Sequence, residues 1–175
     1  MKVRVTIVSL LLAATTAAFA AEPSPLRQLD YFKGTWICKG TAFAMPEAPE
    51  HAISGKLTSE WIMNGAWLHF NYDGMKSKSD PKPMSAAGFM GWDSEKKDFV
   101  IGTVCSDGCF SSEMSPGWEN DVMIFTGPNH MGGMTMNGRD EFHKISSTEF
   151  RYVNQFEMDG KWQKAMDETC KKSMK

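Results

Sequence analysis

The chain has 175 residues, of which 42% are hydrophobic and 23% charged, and its formal net charge is −2 at pH 7. This near balance of charge predicts no basic surface of the kind that binds nucleic acid or an anionic membrane. The length suits one domain with a hydrophobic core large enough to be stable without a metal.

The first twenty residues have the pattern of a secretory signal peptide. Lys2 and Arg4 precede an apolar run at 7–14, and Ala18-Phe19-Ala20 matches a small-x-small cleavage site. The apolar run is too short for a membrane anchor, and Ala21 stands where a lipoprotein would have Cys. We therefore expect an exported protein, in the bacterial periplasm or secreted, with one domain at 21–175. That domain has 17 basic and 21 acidic residues, a formal charge of −4.

Alternation of apolar and polar residues recurs along the rest of the chain, whereas helical periodicity is nearly absent. An amphipathic segment at 23–32 predicts one short helical turn at the start of the domain. The alternation then predicts ten strands, at 34–43, 52–63, 66–73, 85–92, 98–105, 109–115, 119–126, 131–144, 148–158 and 161–170.

The turn residues between these segments predict antiparallel neighbours. Asn64-Gly65, Asp107-Gly108 and Asp159-Gly160 favour tight hairpins because Asn, Asp and Gly tolerate positive φ angles. Ten strands in such a meander predict an all-β fold, a single closed β-barrel, because closure removes unpaired sheet edges. Trp36, between Gly34 and Gly40 on the first strand, suits the floor of that barrel.

Four segments carry a resemblance to a known family, and they cover most of the domain. They are Leu29-Asp30-Tyr31-Phe32-Lys33-Gly34-Thr35-Trp36, the Gly65 hairpin after Glu60-Trp61, Gly91-Trp92-Asp93, and the strand from Trp162 to Lys171. They resemble the bacterial domain-of-unknown-function family 1579. The opening Gly-x-Trp is also similar to that of lipocalins and of the haem-binding nitrobindins. The resemblance implies a calycin-type, lipocalin-like barrel, and it implies no activity.

Four cysteines in an exported domain indicate two disulfides. Cys105 and Cys109 flank a three-residue hairpin loop, which sets them opposite each other at the ~5.5 Å Cα separation that a disulfide prefers. Cys38 and Cys170 lie on the first and last strands, which become neighbours when a meander closes. A redox role for the hairpin pair is disfavoured because its spacing is not Cys-x-x-Cys and no helix follows it.

Methionine is unusually frequent, with 14 residues in the chain. Four soft ligands, His130, Met131, Met134 and Met136, lie close together in sequence and suit Cu(I). Methionine also fills irregular apolar interiors, which is the simpler interpretation. No metal-ligand spacing relates the other histidines, His51, His69 and His143. A haem site would need one of these inside the barrel, and since the alternation places them on polar sides, we expect no cofactor.

Binding is the function that the pattern favours. No common hydrolase, metalloprotease or nucleotide-binding motif occurs, so no enzymatic activity is predicted. Aromatic and Met-rich strands, with small residues beside large ones, predict a cavity that binds a small apolar or amphipathic ligand and opens beside a loop at 74–84. An inward Arg139 would hold a ligand carboxylate if Gly138 marked a bulge. The predicted cavity residues are Trp36, Trp61, Phe70, Gly88, Trp92, Met134, Phe156 and Arg139. A solidly packed barrel would instead indicate a structural or protein-interaction role.

Overall fold

The structure is a computed structural model that describes residues 24–45 and 49–173, so the predicted signal peptide lies outside the described residues. Within them, 3₁₀ helices occupy Pro25–Phe32 and Met63–Gly65. No helix in these ranges is long and apolar enough to cross a membrane. The strands are β1 (Gly34–Ala42), β2 (His51–Ile62), β3 (Trp67–Gly74), β4 (Ser85–Asp93), β5 (Asp98–Cys105), β6 (Phe110–Ser115), β7 (Trp118–Glu119), β8 (Val122–Met131), β9 (Met134–Ser146), β10 (Glu149–Met158) and β11 (Lys161–Lys172).

These strands form one antiparallel sheet that closes on itself. Each of β1 to β6 pairs with its sequence neighbour, β1 also pairs with β11, and β11 continues through β10 and β9 to β8. Pairing of β6 with β8 completes the ring, and the two-residue β7 continues the line of β6 along β8. The predicted closed barrel of ten antiparallel strands is therefore confirmed.

The two ends of the barrel differ. The first 3₁₀ helix leads into the end where β1 begins and β11 ends, and we refer to it as the closed end. Leu29 and Phe32 of this helix are 0% and 2% exposed, so the helix packs into the barrel core. The opposite end, where β1 runs out towards β2, carries only loops and hairpins among the described residues, and we refer to it as the open end.

An aromatic cluster fills the closed end. Trp36 is fully buried, its indole N–H donates to the Phe32 carbonyl at 2.8 Å, and its ring lies edge-on to Phe150 with 4.8 Å between centroids. Lys172 places its ammonium 5.0 Å from the Trp36 ring centroid, and Lys144 lies 3.8 Å from that of Trp118. A buried aromatic pair such as Trp36 and Phe150 contributes ~0.5–1.5 kcal/mol beyond its area burial.

The path of β8 differs from the prediction. A strand at 119–126 and a break before 131 were expected, whereas β8 continues through Gly127 and Pro128 and turns at Gly132-Gly133. Gly127 does not form a turn. It lies where the backbones of β6 and β8 approach closely, because a Cβ on Gly127 would lie 2.8 Å from the Cα of Glu113 on β6. The glycine thus lets β6 and β8 come together where the barrel closes.

Both predicted disulfides are present. Cys38 and Cys170 are directly paired residues of β1 and β11, and both are almost completely buried. Cys105 and Cys109 close the hairpin between β5 and β6, where Gly108 has a φ of 88°. The first disulfide bridges a sequence separation of 132 residues and the second a separation of 4.

Removing the two disulfides should therefore have unequal effects. In the loop-entropy relation a closed loop of this larger size is worth about 5 kcal/mol and the small hairpin loop about 2 kcal/mol. We expect the double variant Cys38→Ala/Cys170→Ala to lose far more stability in urea denaturation than Cys105→Ala/Cys109→Ala. Equal losses would contradict this assignment of roles.

Candidate functional site

The inner face of the barrel changes from apolar to polar along its length. Towards the closed end the core consists of aromatic and aliphatic side chains. Towards the open end three carboxyl side chains face inward, Glu113 on β6, Asp140 on β9 and Glu168 on β11, and these residues are between 0% and 6% exposed. None of the buried residues among those described is basic, so no buried cation balances these acids.

Two of these three inward acids have hydrogen-bond donors within the barrel. Asp140 accepts from the Tyr152 hydroxyl at 2.8 Å and from the Asn154 amide at 2.7 Å. Glu168 accepts from the Tyr72 hydroxyl at 2.8 Å. Each of these carboxyl groups is therefore part of a local network that offsets some of the cost of burial.

Glu113 differs from the other two acids because neither of its carboxyl oxygens has a hydrogen-bond partner. The nearby Ser111 hydroxyl lowers the pKa of Glu113 but lies outside hydrogen-bond geometry. The Oδ1 of Asn129, on β8, is also buried without a partner. A buried polar atom left unsatisfied costs ~1–3 kcal/mol, so two such residues at one place need an explanation.

Glu113 and Asn129 meet above Gly138 of β9. A Cβ built on Gly138 would lie 2.8 Å from Oε1 of Glu113 and 3.3 Å from Nδ2 of Asn129. The absence of a side chain at Gly138 thus leaves the space that these two polar groups occupy. Asn129 itself pairs with Met136, and this pair lies one inward position nearer the open end than Gly138.

Burial raises the pKa values of the three inward acids, Glu113, Asp140 and Glu168. Desolvation, followed by repulsion from Asp140, raises the pKa of Glu113 to about 9. Desolvation also raises the pKa of Asp140, against the opposing hydrogen bonds from Asn154 and Tyr152. Desolvation likewise raises the pKa of Glu168 to about 7. Glu113 is therefore a neutral carboxylic acid at neutral pH.

The buried acids do not form a compact metal site. Within the described residues, the only three His, Cys, Asp or Glu side chains whose ligand atoms converge are Cys105, Asp107 and Cys109. Both cysteines of that set are joined in the hairpin disulfide. Neither the acid cluster nor this hairpin is arranged as a preformed metal centre.

The residues predicted to line one cavity are spread along the whole barrel. Trp36 lies in the closed end, and Trp61 is held there by a 2.8 Å hydrogen bond from its indole N–H to Asp30. Trp92 packs against Phe99 at 4.9 Å between ring centroids. Phe156 is 7% exposed near the open end, and Met134 is 61% exposed at the hairpin beyond it.

The inward charge on β9 is Asp140 rather than Arg139. Gly138 and Asp140 face the interior, so side-chain alternation places Arg139 on the outer face. Arg139 lies there 2.9 Å from Glu141, in an ion pair not aligned for a hydrogen bond, and 5.7 Å from the Trp162 ring centroid. The expected anchor for a ligand carboxylate is therefore replaced by an acid.

The space expected beside Gly88 is filled. A Cβ at Gly88 would lie 2.6 Å from the Phe70 ring and would meet the Gly102 carbonyl. A depression of ~520 Å³ does lie beside the predicted loop, but it is open to solvent and lined by Gly74, Lys76, Lys82, Pro83, Met84, Ser85, Ser106 and Asp107. Another, of ~240 Å³, is lined by Gly34, Thr35, Thr58, Ser59, Glu60, His69 and Asn71. Neither contains a predicted cavity residue.

The Met and His residues of the β8–β9 hairpin occupy two faces. Met131 pairs with Met134, and Met136 pairs with the inward Asn129, so the three methionines share the inner face at the open end. His130 lies on the outer face, stacked on Phe110 at 4.2 Å between ring centroids. Its Nδ1 is 2.7 Å from the Thr135 hydroxyl.

The architecture is that of a closed, ten-stranded antiparallel β-barrel with a buried acidic cluster. The crystal structure of Rv2717c from M. tuberculosis matches this fold with a TM-score of 0.63 at 14% sequence identity, covering 85% of this chain and 96% of that chain. At that identity the likeness concerns the fold alone. The model of the family described as protein of unknown function (DUF1579) matches residues 23–172, and the chain belongs to this family. No curated protein matches the chain in sequence.

The buried acids should make the protein less stable as pH rises. Unfolded Glu has a pKa near 4.3, so native Glu113 and Glu168 hold protons that the unfolded chain releases. Their contribution to stability is full below about pH 4.3 and is lost as pH rises through about 7 and 9, by up to ~1.4 kcal/mol per pH unit per group.

Glu113→Gln keeps the shape of the neutral acid and should flatten this decline between pH 5 and 8.5 in urea denaturation. Glu119→Gln, at an exposed position, is the matched control and should retain the wild-type decline. The same pH dependence in Glu113→Gln and wild type would show that Glu113 does not hold its proton in the native state.

Proposed function

We propose that the protein is a non-catalytic binder of a small amphipathic molecule, which enters at the open end and places a polar group against Glu113 and Asn129. One observation carries this proposal: two inward side chains are buried with unsatisfied polar atoms at a single place. A ligand that donates hydrogen bonds there would remove the cost of leaving them unsatisfied. Glu113 and Asn129, which we call the polar cluster, are therefore a better candidate for a binding site than an apolar cavity near the aromatic side chains of the closed end.

Apolar side chains at the open end suit the rest of such a ligand. Met131, Met134 and Met136 share the inner face between the polar cluster and solvent, and Phe156 pairs with Gly138 on the neighbouring strand. Methionine side chains are flexible and repack readily around different apolar shapes. Entry requires these side chains to move, because the two surface depressions do not reach the cluster.

Export belongs to the same proposal. Two disulfides are present, one of them almost completely buried, and disulfides persist mainly in oxidising compartments. The leader-like sequence at 1–20 is consistent with such a location. A periplasmic or secreted binder would meet its ligand outside the cytoplasm.

The uncharged dye Nile red tests entry at the open end without favouring either sign of charge. We expect saturable binding with enhanced emission, and at least a ~10-fold loss of affinity in Met136→Trp, whose larger ring would narrow the opening. Met63→Trp introduces the same ring at a position 70% exposed in the short 3₁₀ helix near the closed end and should bind as wild type does. No saturable binding by wild type, or equal affinities in the two variants, would refute the proposal.

Cu(I) binding is a second candidate function, favoured by the placement of Met131, Met134 and Met136 on one face. Thioethers are soft ligands that prefer Cu(I), and His130 on the outer face would not join them. The triple variant to Leu keeps the side-chain volume but removes the sulfur, so it should lose Cu(I) affinity while still binding Nile red. Unchanged Cu(I) affinity in this variant would eliminate the candidate.

A further inference from the structure

Resting on the binding function proposed above, we infer that the polar group of the ligand is a primary ammonium, held by the Glu113 carboxylate and by Oδ1 of Asn129. Once Glu113 is ionised, as in the bound form, the unsatisfied atoms that define the site are all acceptors, two carboxyl oxygens and one amide oxygen. A ligand complementary to them must donate. An ammonium group offers three N–H donors, whereas an alcohol offers one.

The surrounding charge favours the same choice. The titratable groups that line the interior near Glu113 are acids and phenols, and none is basic: Tyr72 on β3, Asp140 on β9, Tyr152 on β10 and Glu168 on β11. The residues of β5 paired with the inward positions of β6, Thr103 opposite Ser111 and Ile101 opposite Glu113, carry no charge. A ligand carboxylate would be repelled by this interior, and a cation would be attracted.

A metal ion fits the site less well than an organic cation. The carboxyl groups of Glu113, Asp140 and Glu168 do not converge on one point within the described structure. Asp140 and Glu168 already accept hydrogen bonds from neighbouring side chains, so Glu113 is the acid left for a ligand. One carboxylate and one amide oxygen suit a single ammonium with an apolar chain, for which the methionines at the open end provide contacts.

Binding of an ammonium to this site requires a proton to leave. In the free protein Glu113 is protonated at neutral pH, because burial and Asp140 raise its pKa. The bound form pairs R–NH₃⁺ with the Glu113 carboxylate, so the reaction is R–NH₃⁺ plus Glu113–COOH giving the ion pair plus H⁺. Affinity should therefore rise with pH, approaching tenfold per pH unit below the free-protein pKa of Glu113.

Three ligands with one chain length separate the head groups: octylammonium, octanol and octanoate, each measured by calorimetry from pH 6 to 8.5. We expect octylammonium to bind most tightly, with affinity rising with pH, octanol to bind weakly with no pH dependence, and octanoate not to bind. Glu113→Gln should weaken octylammonium binding by about tenfold or more and abolish its pH dependence. Glu119→Gln, at an exposed position, should change neither.

Proton release keeps the test decisive even if Glu113→Gln folds poorly. Calorimetry of wild type at pH 7 in two buffers of different ionisation enthalpy should show about one proton released per octylammonium bound. No release, or equal binding of octylammonium and octanol, overturns the ammonium assignment. If Nile red still binds in that case, the binding function itself stands. If Nile red does not bind either, the proposed function fails with it.

Discussion

Pairing of β1 with β11 is the contact on which the rest of the interior depends. It joins the two ends of a ten-stranded meander, and the buried Cys38–Cys170 disulfide fixes it covalently. A closed sheet has no free edge, and it encloses every inward side chain whatever its polarity. The second closure, between β6 and β8, uses Gly127 to bring two backbones together beside Glu113. The pairing of β6 with β8 therefore completes the barrel and also places the Glu113 side chain in its interior.

The interior that results has two parts with different energetics. Around Trp36 and Phe150 the packing is aromatic and dry, and it supplies the hydrophobic stabilisation of the domain. Above it, Asp140 and Glu168 are partly compensated by phenol and amide donors, whereas Glu113 is not. Natural proteins tend to retain such a local cost where function needs it, as in a site completed only by its ligand. The aromatic part of the interior thus supplies stability that offsets the free-energy cost of burying Glu113 without a hydrogen-bond partner.

Much of the fold could be predicted from the sequence because alternation and turn dipeptides are local signals. The number of barrel strands and their antiparallel order follow from them, and the cysteine positions on those strands indicate both disulfides. The family resemblance rests instead on short motifs such as the segment from Leu29 to Trp36. The acidic cluster could not be predicted in this way. In β6 the inward residues are Ser111, Glu113 and Ser115, while Phe110 is half exposed, so the polar side faces the core, contrary to the usual pattern.

The error at β9 has a related cause. Sequence alone could not decide whether Arg139 or Asp140 turned inward, because a shift of one residue exchanges the two faces of a strand. The register with β8 and β10 decides it, and pairing of that kind is a long-range property. One sequence feature bears on whether Glu113 faces inward: the Cys105–Cys109 hairpin fixes the pairing of β6 with β5. Both faces of β5 carry apolar residues, Val100 and Val104 on one and Phe99 and Ile101 on the other, so the sequence left its inner face ambiguous.

The direction of the first and last strands has a practical consequence for how the molecule can be attached to anything else. β1 begins and β11 ends at the closed end, so the chain enters and leaves the barrel at that end, opposite the β8–β9 hairpin. A tag, a fusion partner or a solid support joined at either terminus would leave the other end facing solvent. The same geometry makes the domain suitable for surface immobilisation in one orientation. Pulling the termini apart would load the Cys38–Cys170 bond before the rest of the sheet.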